Sequence, residues 1–319
     1  MSKKILTVTL NPAIDYTVIV PGFAVDSVNR AESGRRDPGG KGINVATALS
    51  RGGFDVAVTG FLGKENALIF RDHFTKNSLE DHFVYVEGST REGIKIADPE
   101  GEITTDINFP GFMIEKKQID ELLDKFGKLA SGFHSVILSG SLPPGVPDSF
   151  YGDLAKIARE AGCFVALDTS RMALKAAVET GAINLIKPNI DELAEIYEEI
   201  RQATDRPRAV DALSLKLLEK VDMIALSLGE EGSRLYGRGY TIDASAPAIK
   251  VKSTVGAGDT FLAGFAGALA SGLEKGDALK QAASWAASKL TMYGSGLSEV
   301  QPPASFLDKI KIKIEQRGA

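Results

Sequence analysis

Six short runs of branched and aliphatic residues, KILTVTL, DVAVTGFLG, HSVILSG, CFVALD, INLIKPN and DMIALSLG, punctuate the chain, and segments of helical period separate them. Runs that are apolar at nearly every position cannot face water on either side. They belong in a parallel sheet covered by helices on both faces. The periodicity predicts helices over residues 42–50, 66–76, 148–161, 172–179, 191–199, 258–271 and 276–291. The fold class is therefore α/β with a mainly parallel central sheet, read as one domain over residues 1–319. Ligands of such sheets bind beyond the carboxyl ends of strands, and the loops SGSLPPG, LDTS, KPN and SLG fall there.

Two stretches break the alternation. Residues 15–36 and 82–111 read as extended pairs with turns at Pro21-Gly22 and Pro99-Glu100-Gly101. They predict a small antiparallel sheet inserted twice into the body, serving as a lid over a ligand cleft or as a ribbon between two copies of the chain.

Several function classes drop out. Acidic residues outnumber basic ones, 42 to 37, for a net charge of −5, so no nucleic-acid or membrane partner is expected. No apolar stretch is long enough to span a bilayer or to act as a signal peptide. The single cysteine, Cys163, cannot form an internal disulfide, which fits a reducing, cytoplasmic location. There is no G-x-x-x-x-G-K-[ST] phosphate loop, no G-x-S-x-G elbow and no G-x-G-x-x-G after the first strand. His73, His82 and His134 are scattered without metal-ligand spacing.

What remains are two glycine clusters that each run into a helix. In STVGAGDTF, Ala257, Gly258 and Asp259 offer backbone N–H groups at a helix start, where the dipole favours an anion. Asp259 in the same turn would repel that anion unless it had a task of its own, such as accepting a proton from an attacking hydroxyl. A plain helix cap would also explain the aspartate. In DPGGKGINVA, Gly39 and Gly40 permit close backbone approach, Lys41 brings a point charge, and Asn44 is both donor and acceptor. Asp15 in TLNPAID offers two acceptors to sugar hydroxyls, or is a turn aspartate.

The segments GGKGINVATAL and STVGAGDTFLAGFAGAL resemble the two signatures of the PfkB (ribokinase-like) carbohydrate kinases. FLGKEN, SGSLPPG, IKPNIDEL and LSLGEEG match further family segments in the right order. The resemblance implies a ribokinase-like three-layer fold with a small β-sheet lid, ATP and Mg²⁺ as cofactors, and a homodimer formed through the lid sheets. It implies Asp259 as catalytic base, with Gly256, Ala257 and Gly258 as the anion hole. Asp15, Gly39, Gly40, Asn44 and Ser139 would hold the sugar, and Lys41, Arg30 and Arg91 its existing phosphate. Lys187, Ser227, Gly229, Gly232, Thr254 and Gly258 would bind the nucleotide, and Asn189 and Glu192 would organise the metal through water.

Lysine in GGKGIN resembles the branch whose acceptor already carries a phosphate. TREGIKIADPEGEITTDINFPGF and LDTSRMAL look more like fructose-1-phosphate kinases than tagatose-6-phosphate kinases. One position departs from that pattern: Gly93 stands where those enzymes usually have asparagine. The expected activity is phosphorylation of the C6 hydroxyl of D-fructose 1-phosphate. Tagatose 6-phosphate, a broader hexose-phosphate range, and a non-catalytic sugar-phosphate sensor are the alternatives.

Overall fold

The computed structural model describes residues 4–101, 103–292 and 297–316. Position 102, inside the second expected lid segment, lies outside them. β1 (Ile5–Thr9) opens the chain, and the hairpin β2 (Ala13–Ile19) and β3 (Ser33–Gly39) follows it. Next come α1 (Lys41–Arg51), β4 (Val56–Gly63), α2 (Leu68–Lys76), β5 (Glu80–Asp81) and β6 (Val84–Val86). A second hairpin, β7 (Glu92–Asp98) and β8 (Ile103–Asn108), leads into α3 (Lys116–Ala130), β9 (Ser135–Ser139) and α4 (Phe150–Glu160). Then follow β10 (Phe164–Asp168), α5 (Arg171–Val178), β11 (Ile183–Ile186), α6 (Ile190–Ile196), α7 (Glu198–Arg201) and α8 (Arg206–Leu217). β12 (Val221–Ser227), β13 (Ser233–Gly237), β14 (Tyr240–Ala244), α9 (Ala257–Ala270), α10 (Lys275–Leu290) and β15 (Ile312–Gln316) complete the series.

The central sheet runs β15-β14-β13-β12-β11-β10-β9-β1-β4-β5, and β6 also pairs with β4. From β12 to β5 every pairing is parallel. Alternate residues of a strand leave on opposite faces, and the core divides accordingly. Ile5, Val58, Ile137 and Ala166 pack with α1, α9 and α10 on one side. Leu6, Ala57, Val136, Leu138 and Val165 pack with α3, α4 and α8 on the other. This is the three-layer architecture expected of the apolar runs.

Five elements went beyond the expected pattern. Helices α3 and α8 cover the second face, and the antiparallel strands β13, β14 and β15 extend the sheet past β12. The helix predicted over 191–199 is two, because Tyr197 is extended (φ −113, ψ 109) between α6 and α7.

The second sheet runs β3-β2-β7-β8. The expected antiparallel sheet is in fact mixed, with β2 and β7 paired in parallel from Ile14–Glu92 to Ile19–Ala97. Both hairpins leave the body at the same end, after β1 and after β6, so their first strands run side by side. The segment expected to start at 82 contributes to this sheet only from Glu92, since Val84–Val86 pairs with β4 in the body. The turn of the first hairpin is tied to the second: the N–H groups of Gly22 and Phe23 donate to Asp98 at 2.9 and 3.1 Å.

Candidate active site

At the start of α9 the chain turns through Gly256, held at φ 78, a left-handed conformation that glycine adopts without strain. The first turn of a helix has no carbonyls to receive its N–H groups. Ala257 N–H is taken by the Thr254 carbonyl at 3.2 Å, whereas Gly258 and Asp259 N–H donate to no acceptor among the described residues. A Cβ on Gly258 would sit 3.2 Å from Lys187 Nζ, so the glycine lets that ammonium approach the turn.

Asp259 is 6% exposed, and its Oδ2 accepts a 2.8 Å hydrogen bond from Asn44 Nδ2 on α1. The two glycine clusters, remote in sequence, thus meet through one amide–carboxylate contact. Burial first, then the negative charge of Asp168, pushes the Asp259 carboxyl up to about 6, against the pull of Lys41, Asn44 and Lys187.

Asp168, the last residue of β10, carries no sequence signal beyond the LDTS loop that contains it. It is 1% exposed, and its Oδ1 lies 3.3 Å from Lys41 Nζ and 3.5 Å from Lys187 Nζ. Burial works against its ionisation, but the Lys187 and Lys41 ammoniums outweigh burial and hold the carboxyl below the usual range. Lys41 Nζ also stands 3.7 Å from Glu192 Oε1, and Asp168 chiefly raises the Lys41 ammonium above its ordinary value. Two lysines are therefore gathered at one buried carboxylate under the mouth of α9.

A cleft of about 470 Å³ opens above this cluster. On its lid side, Asp15 Oδ1 pairs with Lys95 Nζ of β7 at 3.2 Å. Burial is the main cause that raises the Asp15 carboxyl, with Lys95 opposing it. A Cβ on Gly39 would come within 2.5 Å of Asp15 Oδ2, so a side chain there would displace the carboxylate. Arg91 donates to the Phe109 carbonyl at 2.8 Å and to the Asn11 carbonyl at 3.2 Å while lining the cleft. Gly93 faces Asn108 across the β7–β8 pair, and a Cβ at 93 would lie 3.3 Å from Asn108 Oδ1. The neighbouring strand thus places an amide beside position 93.

Two expected sugar-side residues stand elsewhere. Ser139 is fully buried, with its Oγ sealed and without a partner, because it ends a central strand and faces the core. Ser141, two residues on, accepts from Asn11 Nδ2 at 3.3 Å and lines a contiguous cavity of about 680 Å³ together with Lys41 and Arg91. Arg30 is exposed in the 20–32 loop, and none of the cleft cavities includes it.

On the other side, Asn189 caps α6: its Oδ1 accepts from Glu192 N–H at 2.7 Å, and Glu192 Oε2 accepts from Asn189 N–H at 2.9 Å. The expected metal pair is thus first a reciprocal helix cap. Among the described residues no group of three or more His, Cys, Asp or Glu is placed to hold a metal. The donor set fits a magnesium ion held mainly by phosphates and waters, with the Glu192 oxygen nearer Lys41 as an outer partner. Ser227 bridges to Asn189 and, with Gly229, lines a cavity of about 630 Å³ that adjoins the cleft. Gly232 and Thr254 line neither. Gly232 (φ 104) lets the chain pass close to the Ala244 and Ala246 backbone, and Thr254 is exposed.

A protein-family model described as pfkB family carbohydrate kinase matches residues 8–301. The chain is 38% identical to a 1-phosphofructokinase of Rhodobacter capsulatus over 98% of both chains. It is 34% identical to a tagatose-6-phosphate kinase of Staphylococcus epidermidis over 83% of this chain and 85% of that one. Among solved structures, a possible 1-phosphofructokinase from Thermotoga maritima superposes with TM-score 0.88 at 28% identity, covering 98% of this chain and 100% of that one. With the fold, the paired glycine clusters and near-full-length relatives in agreement, the chain belongs to the pfkB family of carbohydrate kinases.

Proposed function

We propose that the protein transfers the γ-phosphoryl group of ATP to the C6 hydroxyl of D-fructose 1-phosphate, giving fructose 1,6-bisphosphate and ADP. The observation that carries this reading is Asp259, buried and hydrogen-bonded to Asn44, in the same helix turn as two N–H groups without an acceptor among the described residues. A carboxylate raised to about 6 is ionised at neutral pH yet basic enough to take a proton in the transition state. As the hydroxyl oxygen bonds to the γ-phosphorus, its proton passes to Asp259 and the bond to the β-phosphate oxygen breaks. Asn44 keeps the Asp259 carboxylate aimed at the acceptor. Charge building on the phosphoryl oxygens meets the N–H groups of Gly258 and Asp259, the α9 dipole and Lys187. Magnesium, when bound with the nucleotide and ordered through Glu192, would neutralise the phosphate chain. Lys41 and Arg91, at the boundary of two adjoining cavities, would receive the acceptor's own phosphate.

Tagatose 6-phosphate is the second reading, favoured by the 34% identity to the Staphylococcus epidermidis enzyme and by Gly93 in place of asparagine. The deciding experiment measures ADP release with fructose, fructose 1-phosphate, fructose 6-phosphate and tagatose 6-phosphate. Fructose 1-phosphate should exceed free fructose in kcat/KM by at least ~10³, about 4 kcal/mol of binding supplied by the remote phosphate. Equal efficiency on both would defeat the phosphate-clamp assignment, and a preference for tagatose 6-phosphate would change the sugar.

We further propose a homodimer formed through the lid, where Ile103, Ile107 and Phe109 of β8 and its exit, and Val25 and Val28 of the adjoining loop, are exposed. Sedimentation equilibrium would measure it. Among the described residues no helix is long and apolar enough to cross a membrane, and the cytoplasm, where ATP and sugar phosphates are kept, is the compartment we infer.

A further inference from the structure

Two lysines are buried among the described residues, Lys187 at 6% and Lys289 at 1% exposure. Lys187 belongs to the phosphoryl site. Lys289 has no part in the reaction above, and a lysine is almost never so enclosed without a reason.

Lys289 lies in the last turn of α10, on a helix whose other buried residues are mostly apolar. Its Cε is 3.5 Å from the point where a Cβ on Gly256 would sit, and that same point is 3.9 Å from Asp259 Oδ2. An ammonium has three donors. The hydrogen bond Lys289 makes among the described residues is a long one, 3.3 Å to the Met292 carbonyl. Lys289 lines a cavity of about 340 Å³ beneath the lid with Gly256, Thr260 and Asn44. Gly256 also borders the cleft, whereas Lys289 does not. The ammonium therefore stands behind the turn whose other side receives the phosphoryl group.

We propose that Lys289 is a positioning residue: a cation built into the chain that holds the Gly256–Asp259 turn positive from behind as charge builds on the transferring phosphoryl group. The inference rests on the assignment of Asp259 as base and the α9 turn as anion site. Gap-filling by a long side chain is the competing account, and it needs no charge. The ammonium feels Asp259 on α9 and donates to the Met292 carbonyl beyond the end of its own helix; the other charged residues lining its cavity are Asp15, Arg35, Asp37 and Lys95. Burial, partly offset by Asp259, lowers the Lys289 ammonium to about 8. It is charged at neutral pH and loses its proton as pH rises through that value.

The test compares Lys289→Met, Lys289→Arg and Lys289→Ala with Asp259→Asn, measuring kcat, both KM values, the pH profile and thermal midpoint. Lys289→Met keeps most of the aliphatic volume. It should lose at least ~10-fold in kcat, the lower end for removing a charge that serves a developing anion, with both KM values nearly unchanged. Its alkaline limb near pH 8 should vanish. Lys289→Arg should retain more activity than Lys289→Met. Lys289→Ala should regain part of its kcat in methylammonium and not in methanol, which is of similar size but carries no charge. Wild-type kcat in Lys289→Met would overturn the inference. So would a loss that methylammonium fails to restore, or one in which both KM values and the thermal midpoint move together. If Asp259→Asn itself keeps its turnover, the base assignment fails; if Asp259→Asn is inactive and Lys289→Met is not, only this inference falls.

Discussion

Two helices begin on the rim of the same cleft and are finished in opposite ways. α6 closes its own start: Asn189 and Glu192 exchange side-chain-to-backbone hydrogen bonds, and the first-turn donors they reach are satisfied by the chain itself. α9 starts on a left-handed glycine with no side-chain cap, and Gly258 and Asp259 N–H are left without an acceptor among the described residues. Both starts carry acidic residues in the first turn, so first-turn acidity alone does not tell them apart. A helix start becomes an anion site only where its donors have not been given to its own side chains. Asp259 differs from Glu192 in partner as well as position. It is held by the Asn44 side chain, and that leaves the backbone of its turn open.

The largest effect should come from breaking the α9 side. Asp259→Asn should fold and bind ATP, yet lose at least ~10² in kcat, the lower range for removal of a general base. In the unmodified enzyme kcat/KM should fall as pH drops through about 6, because the protonated carboxyl can no longer accept a proton. That acid limb should be absent in the variant. Near-normal turnover of purified Asp259→Asn would remove the base assignment.

Gly258→Ala is a finer cut into the same helix start. The new methyl would press on Lys187 Nζ at 3.2 Å, so kcat should drop by roughly tenfold, about 1.4 kcal/mol of transition-state stabilisation. Alanine suits a helix better than glycine by up to ~1 kcal/mol, and the thermal midpoint should hold or rise. Activity lost together with stability would mean that the glycine serves folding rather than phosphoryl transfer.

The smallest effects belong to α6. Asn189→Ala removes a cap and should cost about 1 kcal/mol of stability, read as a lower denaturation midpoint. Glu192→Gln can preserve the reciprocal cap, since glutamine serves in that position, while it removes the charge opposite Lys41. If Glu192 also orders the metal, Glu192→Gln should raise the magnesium concentration needed for half-maximal rate and leave the midpoint alone. No change in that requirement would leave α6 with a purely structural start.

Much of the body was legible because its signals are local. Apolar runs marked the strands of the parallel sheet, and glycine beside aspartate or lysine marked the starts of α1 and α9. What escaped depends on partners far along the chain. Asp168 is an ordinary strand-ending aspartate until Lys41 and Lys187 are folded against it. Asn108 comes to stand beside Gly93 only because β7 and β8 pair in that register. The distinction between Ser139 and Ser141 turns on where β9 ends. One residue points into the core and the other lies past the strand, within one short motif. Helix α3 carries a local signal too, with Ile119, Leu122, Phe126 and Ala130 on one face, but it follows directly on the extended lid segment, whose period masks its start.

The parallel pairing of β2 with β7 bears on how the chain comes to be folded. Ile14 meets Glu92, so the contact closes a long loop and cannot form until the intervening segment has been made and arranged. While the chain emerges from the ribosome, the first hairpin is complete well before its partner exists. One edge of β2 therefore waits with open backbone groups, a surface on which another nascent chain could pair. The opposite margin is guarded from the outset. β3 reads SGRRDPG, and its two arginines and proline make a poor template for a foreign strand. The vulnerable interval is set by translation of the residues between the two hairpins, and it ends when β7 arrives.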